Sequence, residues 1–213
     1  MLYAIGEIVL VVIGILIALQ INNWNEERKS KIKEYTYLEG IKVDLESDVE
    51  YIKYLLPQNN IRIQDYSRLD SIVQLNSDKI YEIEFAEIFL LSEQINTLYP
   101  RVGSYSSLIS ENSAGLISNK ELLQRIKFIY ENYYVRISLL GQELDDISTK
   151  IRWERRLDFR QKLAGYNFDD FAALFADLGE MNLNVHKFNN RLISLLEMLN
   201  MIIVQIELEL DNK

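Results

Sequence analysis

The 213-residue sequence has no cysteine, a single histidine, two prolines and eight glycines. Without cysteine the chain can form no disulfide, no thiolate nucleophile and no thiolate metal site. One histidine, His186, cannot supply the paired Glu-x-x-His motifs of a diiron bundle, and it disfavours a zinc site or a histidine-based triad. The scarcity of proline and glycine favours long helices, because turn-rich β architectures use these residues at their corners.

Positive charge is scarce as well, since 23 lysines and arginines stand against 32 acidic residues, for a net charge of −9. Such an acidic chain disfavours binding to nucleic acid, whose phosphates it would repel unless a basic groove were segregated from the rest. The sequence also has no phosphate-binding loop, no G-x-S-x-G elbow and no dinucleotide fingerprint. We therefore expect no nucleic-acid partner, no cofactor or metal, and no enzymatic activity.

What the sequence does contain is one long apolar run, from Leu2 to Ile21. A helix of about 20 such residues spans the ~30 Å hydrocarbon core of a bilayer. Tyr3 and Trp24 flank the run, at the positions where aromatic side chains anchor a helix at the two membrane interfaces. The sequence therefore predicts a transmembrane helix, with the lipid bilayer as a partner.

This run differs from a cleaved signal peptide and from a buried core helix. A signal peptide begins with basic residues and has a shorter apolar region, whereas no lysine or arginine precedes Arg28 here. A core helix rarely stays apolar on all faces over such a length. The predicted organisation is a transmembrane anchor over residues 1–25 and one soluble domain over residues 26–213.

One face of the predicted anchor is not uniformly apolar. At about 100° per residue, four residues fall nearly in line, namely Glu7, Gly14, Ala18 and Asn25. Gly14 and Ala18 form a small-xxx-small pattern that lets a second helix approach closely in lipid, and Glu7 could hydrogen-bond across the contact. The alternative is that Glu7 meets headgroups near the helix end and the small residues have no partner. The face predicts a helix contact with a second copy or with another membrane protein.

The helical pattern continues from the anchor into the domain. Apolar residues recur every three or four positions from Leu38 to Leu56, and Pro57 is predicted to end that helix. Residues 58–75 are predicted to form a returning helix. The less regular residues 79–92 are predicted to form a short helix.

Four more helices are predicted in the remaining sequence. Residues 104–112 fit a short helix that ends in residues tolerant of left-handed geometry. A longer helix, N-capped by Ser118 or Asn119, carries a heptad-like seam. The seam residues are Ile126, Tyr130, Tyr133, Ile137, Leu140, Leu144, Ile147 and Ile151. After a short helix at 169–178, which Gly179 is predicted to end, a final helix from Leu183 carries a second seam. Its residues are Phe188, Leu192, Leu195, Leu199, Ile202, Ile206 and Leu210.

Long helices with one apolar stripe each bury those stripes against one another. The predicted fold class is therefore all-α. The N-terminal transmembrane helix continues into an antiparallel four-helix-type bundle with short inserted helices.

The N-terminal run also carries a resemblance to a known family. Tyr3-Ala4-Ile5-Gly6-Glu7-Ile8, continued as VLVVIGILIALQINNWNEERK, resembles an uncharacterised family of bacterial single-pass membrane proteins, a domain of unknown function of the 6090 type. A second match is the hairpin YSSLIS, followed by LISNKEL, although Glu111-Asn112 stands where members often have Ser-Gly. The resemblance implies no activity, because none is assigned to the family.

The resemblance implies a location in the bacterial inner membrane. Members commonly carry a basic segment before the tyrosine, which implies a cytoplasmic N-terminus and a periplasmic domain. This chain starts at Met1-Leu2-Tyr3 without that segment, which suggests a truncated or misassigned start. Taken alone, the basic residues after the anchor would favour a cytoplasmic domain under the positive-inside rule.

These observations lead to one functional hypothesis and one alternative. The first is a membrane-anchored, non-enzymatic interaction or scaffold module, indicated by the Glu7 face and by the lack of any catalytic set. The alternative is a periplasmic ligand-sensing domain that acts through a partner subunit, which rests on fold analogy alone.

Overall fold

The structure, a computed structural model, describes residues 2–75, 96–155 and 168–211, and among residues 2–9 it describes the side chain of Glu7 alone. All regular structure in these ranges is helical, so the predicted all-α class is confirmed. The elements are α1 (Leu2–Leu75), α2 (Gly103–Ser110), a 3-10 turn (Ala114–Leu116), α3 (Lys120–Phe128), α4 (Tyr134–Lys150) and α5 (Phe168–Asp211). Two π-helical turns, Ile129–Tyr133 and Ile151–Arg155, join α3 to α4 and extend α4. The predicted helix at 79–92 lies outside the described residues.

Within the ranges that are described, no helix is both long enough and apolar enough to cross a membrane. The transmembrane helix predicted over residues 1–25 is thus not supported by the structure and stays a prediction.

The prediction that Pro57 ends the first helix is wrong. Residues 58–75 do not return but continue α1, with Pro57 on its exposed side. An internal proline removes one helical hydrogen bond and costs about 3 kcal/mol. Contacts on the opposite face offset that cost. Leu55 is fully buried just before the proline, and the buried Asn59 donates from Nδ2 to Oδ1 of Asn189 on α5 at 2.8 Å.

The predicted boundary at Gly179 is also wrong, because α5 runs unbroken through it. Gly179 lies where α5 crosses α1. A Cβ atom at this position would sit 3.0 Å from the Tyr66 hydroxyl oxygen. Glycine at this position therefore allows the two helices to approach closely, and it does not stop the helix.

Three long helical rods, α1, α3–α4 and α5, form the bundle. Helix α5 runs antiparallel to α1, since Glu207 pairs with Lys42 at 2.7 Å while Asn189 meets Asn59. It also runs antiparallel to α3–α4, because Glu209 lies by Asn119 at one end and Asp177 by Lys150 at the other. The rods α1 and α3–α4 therefore point the same way, and this part of the chain has three long rods where four were predicted.

The fourth side of the bundle is filled by residues 96–118, which we call the strap. The strap runs opposite to α1: Arg101 lies at Asp48, Ser104 at Asp44 and Ser118 at Glu34. It contains an extended stretch, α2 and the 3-10 turn. The short predicted helix at 104–112 is confirmed as α2, and Asn112 follows it with φ of 53°, in the left-handed region. A strap of short elements thus replaces the fourth long helix.

The core follows the two predicted seams. On α5 the seam residues from Phe188 to Ile206 are at most 4% exposed. On α3–α4 the buried members are Ile126, Tyr130, Ile137, Leu144 and Ile151, whereas the other three are half-buried. The predicted cap is confirmed as well, because Oδ1 of Asn119 accepts from the Leu122 amide at 3.0 Å.

Candidate functional site

The N-terminal part of α1 extends beyond the bundle. From residue 10 to residue 33 no side chain is buried, and Glu34 is the first buried residue that follows. The large apolar side chains of this part are about half to three-quarters exposed. They are Leu10, Val11, Val12, Ile13, Ile15, Leu16, Ile17, Leu19 and Ile21. A surface this apolar is uncommon on a soluble domain and is typical of a binding or membrane-contact surface.

The predicted helix-contact face lies within this extension. Glu7 and Ala18 are exposed, and Asn25 is half-buried. Nothing lies within 4 Å of the position that a Cβ would take at Gly14. The four residues share α1 as predicted, but no other part of the described chain covers Glu7, Gly14 or Ala18. A contact through this face stays a prediction.

The two predicted interface anchors have different outcomes. Trp24 is 64% exposed, and the Arg28 guanidinium lies over its ring, 6.0 Å from the centroid. The side chain of Tyr3 lies outside the described residues. Trp24 therefore marks the point on α1 where apolar residues give way to charged ones.

Between Trp24 and the bundle, α1 turns a polar face toward Leu116 and Ser118 of the strap. A cavity of about 640 Å³ lies there, lined on α1 by Asn23, Glu26, Glu27, Ser30, Lys31 and Glu34, and on the other side by Leu116 and Ser118. Glu34 links the two sides of the cavity, because its Oε1 accepts from both the amide and the hydroxyl of Ser118. The cavity thus separates the apolar extension from the apolar core.

Inside the bundle, Asp48 ties the strap to two rods. It is 2% exposed and accepts from the Tyr134 hydroxyl at 2.6 Å and from the Arg101 amide at 3.2 Å. Burial raises the pKa of Asp48, although the hydrogen bond from Tyr134 acts in the opposite direction. A buried carboxylate with its donors in place fits a structural link between α1, α4 and the strap.

Three tyrosine rings pack in succession next to this carboxylate, and Tyr134 is the one that contacts it. Tyr105 of the strap stacks on Tyr130 with centroids 4.3 Å apart, and Tyr130 meets Tyr134 edge to face at 5.1 Å. Burial raises the pKa of both Tyr130 and Tyr134, and the charge of Asp48 adds to the effect. The Tyr130 hydroxyl has no hydrogen-bond partner among the described residues. The cluster therefore holds neutral phenols beside two carboxylates, since the Tyr134 hydroxyl donates to Asp48 and the Tyr105 hydroxyl donates to Glu131.

Sequence reasoning missed Asp48, although a signal for it exists. Asp48 lies three residues after Leu45 and four before Ile52, so it occupies a core position of the α1 stripe. An acidic residue at such a position indicates a buried partner. His186, in contrast, is exposed on α5, as expected of an ordinary helix residue.

A shallow groove lies between α3 and α5. Its volume is about 370 Å³, and it is lined by Glu121, Gln124, Arg125, Phe128, Ile129, Met198, Met201 and Ile202. Small-molecule sites have volumes of this order and mostly apolar linings. The ligand-sensing alternative stays a prediction.

Comparison with known proteins bears out the resemblance found in the sequence. No curated protein and no solved structure matches the chain. One family model does, described as a family of unknown function (DUF6090), and it matches residues 7–154. The matched region extends from α1 through α4 and ends before α5. The chain therefore belongs to the DUF6090 family of unknown function.

Proposed function

We propose that this protein is a membrane-anchored, non-enzymatic helical module, in which the N-terminal part of α1 lies in a bilayer and the bundle acts as an interaction or scaffold domain. The observation that carries the proposal is the exposure of every large apolar side chain from Leu10 to Ile21. A bilayer is the partner whose chemistry fits such a surface on all sides of one helix.

Energetics support a lipid environment for this part of α1. Burying a Val, Leu or Ile side chain that would otherwise face water is favourable by about 1.5–3 kcal/mol. The apolar run also begins at Leu2, well before the first of the described apolar side chains. Over its full length of about 20 residues the run would rise ~30 Å as a helix, the thickness of a hydrocarbon core.

The continuity of α1 supports a scaffold role. The same helix that would lie in lipid supplies the buried residues Leu38, Ile41 and Leu45. The bundle would then stand on its anchor at a fixed angle, without a flexible linker. We place the bundle on the periplasmic side of a bacterial inner membrane, which the family resemblance supports.

Two paired variants of the full chain test the anchor. Ile13→Arg with Ile17→Arg puts two charges in the apolar extension, where each costs about 2.5–3.5 kcal/mol in a membrane helix. Val43→Arg with Val204→Arg makes the same change at side chains of similar exposure on the bundle. After an alkaline carbonate wash of membranes, we expect the first variant in the supernatant and the second in the pellet.

Retention of the Ile13/Ile17 variant in the pellet would overturn the anchor. So would release of the unaltered protein by the same wash. Circular dichroism of both variants checks that the bundle has folded.

Association through the Glu7 face is the second part of the proposal. Gly14→Ile with Ala18→Ile adds bulk to that face, whereas Val12→Ile with Leu16→Ile changes the opposite side of α1. Crosslinking in membranes should lose its higher-mass species in the first pair only, because bulk at a small-xxx-small contact separates the helices. An unchanged crosslinking pattern in both pairs would remove association from the proposal.

A further inference from the structure

A band of cations encircles α1 between its apolar extension and the bundle. We call Arg28, Lys29, Lys31 and Lys33 the basic collar. Helical geometry of about 100° per residue distributes these four side chains around the axis, so they do not form a single stripe. The collar starts one turn after Trp24, and the next residue after it, Glu34, is already buried in the bundle. The collar therefore occupies residues 28–33, directly before the folded domain.

Most of this positive charge is available to an outside partner. Lys29 pairs with Glu26 at 3.0 Å. Arg28 lies over the Trp24 ring, and no ion pair is found for Arg28, Lys31 or Lys33 among the described residues. Glu26, Glu27 and Glu34 are the acidic residues that adjoin the collar, so four cations stand against three carboxylates here. Glu34 is the buried one of the three and accepts from the Ser118 amide. This excess is local, because the chain as a whole has a net charge of −9.

The collar lies directly beyond the membrane interface that Trp24 would mark. From Arg28 to Lys33 the helix rises about 7.5 Å, at 1.5 Å per residue. The headgroup region on each side of a bilayer is about 5–7 Å thick. With Trp24 at the interface, Arg28 would lie about 6 Å and Lys33 about 13.5 Å further along α1. Arg28 is then level with the headgroups, and the lysines lie within about one Debye length of their outer edge.

From these observations we infer that the basic collar binds anionic phospholipids and enriches them around α1. The inference rests on the proposed anchor and adds a lipid class to it. The partner is an anionic lipid and not a zwitterionic one, because only the former carries a net negative charge to compensate the collar. The proposal holds for either leaflet, since it depends on charge and depth alone.

Fluorescence quenching of Trp24 in reconstituted vesicles tests this inference. The chain has two tryptophans, so Trp153→Phe, a change at an exposed residue, leaves Trp24 as the single reporter. Vesicles contain phosphatidylcholine with 20% phosphatidylglycerol, and either lipid is brominated near the headgroup end of its acyl chains. We expect quenching that corresponds to about two- to fivefold local enrichment of phosphatidylglycerol, since one cation near an anionic surface favours binding by a factor of up to about five.

Two controls separate the collar from other charges. Arg28→Gln with Lys31→Gln and Lys33→Gln should reduce the enrichment to about onefold. Removal of three exposed cations from the bundle should leave the phosphatidylglycerol enrichment unchanged. These cations are Arg136, Lys187 and Arg191, each changed to Gln. Raising the salt concentration to 0.5 M should weaken the enrichment in the unaltered collar, because the screening length shortens.

The outcomes distinguish this inference from the proposed function. If neither brominated lipid quenches Trp24, the residue is not at a membrane and the anchor itself is wrong. If both lipids quench in proportion to their mole fractions, the anchor stands and the lipid preference is wrong. Enrichment that survives loss of the three collar cations would also overturn the inference.

Discussion

The two parts of α1 contain similar apolar residues in opposite surroundings. Leu10 and Leu16 in the extension are 73% and 58% exposed, whereas Leu38 and Leu45 in the bundle are 0% and 1% exposed. Both parts belong to one unbroken helix. The difference lies in the other faces. The bundle part alternates apolar and polar residues with helical period, whereas residues 10–19 of the extension are apolar on every side.

Two stretches with similar apolar residues can therefore need different partners. In the bundle part, a stripe of apolar residues meets the complementary seam of α5 and the strap. In the extension, side chains point in every direction, and no protein element of the described chain surrounds them. An all-round apolar helix needs an all-round apolar solvent, which is the physical basis for proposing a bilayer.

Matched leucine truncations give the largest expected contrast between the two parts. Leu45→Ala should lower the free energy of unfolding by about 2–5 kcal/mol, because it removes buried contacts and leaves a cavity. Leu16→Ala should leave the bundle's stability unchanged. Thermal unfolding in mild detergent, followed by circular dichroism, should show a shift of roughly 10 °C for the first variant only. An equal shift for Leu16→Ala would mean that the extension packs on the bundle.

A second contrast, between two tyrosines, tests the link at Asp48. Tyr134→Phe removes the hydroxyl that donates to the buried carboxylate and should cost about 1.5–3 kcal/mol. Tyr130→Phe removes a buried hydroxyl that has no partner among the described residues, so it should be neutral or stabilising by up to about 1 kcal/mol. Urea unfolding measures both. A larger loss of stability for Tyr130→Phe than for Tyr134→Phe would show that the hydrogen bond from Tyr134 to Asp48 is not the main link.

The smallest expected effect is a pH dependence of the bundle's stability, which arises from Asp48. Burial raises the pKa of Asp48 in the folded protein above its value of about 3.9 in the unfolded chain. The folded state therefore takes up its proton first as the pH falls. The unaltered protein should gain stability relative to Asp48→Asn between pH 7 and about pH 4, and the difference should then level off.

Unfolding midpoints of the two proteins across this pH range check the sign. A gain of the unaltered protein toward higher pH would mean that its hydrogen bonds outweigh burial at Asp48. Glu50→Gln, at an exposed carboxylate of the same helix, provides the control.

The sequence predicted much of the bundle and little of its topology. Three features could be predicted from the sequence because each depends on residue spacing or on one local hydrogen bond. They are the two seams, the Asn119 cap and the short helix α2. The predicted breaks at Pro57 and Gly179 failed because tertiary contacts decided them. Burial of Leu55 and Asn59 against α5 keeps the helix continuous through the proline, and close packing on Tyr66 explains the glycine.

By itself the sequence determined the helical class, the apolar surface of the extension, the basic collar and the family. These follow from composition, periodicity and residue identity, which need no partner to be read. Only the tertiary structure decided that three rods and a strap form the bundle, and that Asp48 joins them. The physical reason is that a buried carboxylate and an internal proline are unfavourable locally, so only contacts between residues distant in sequence can offset their cost.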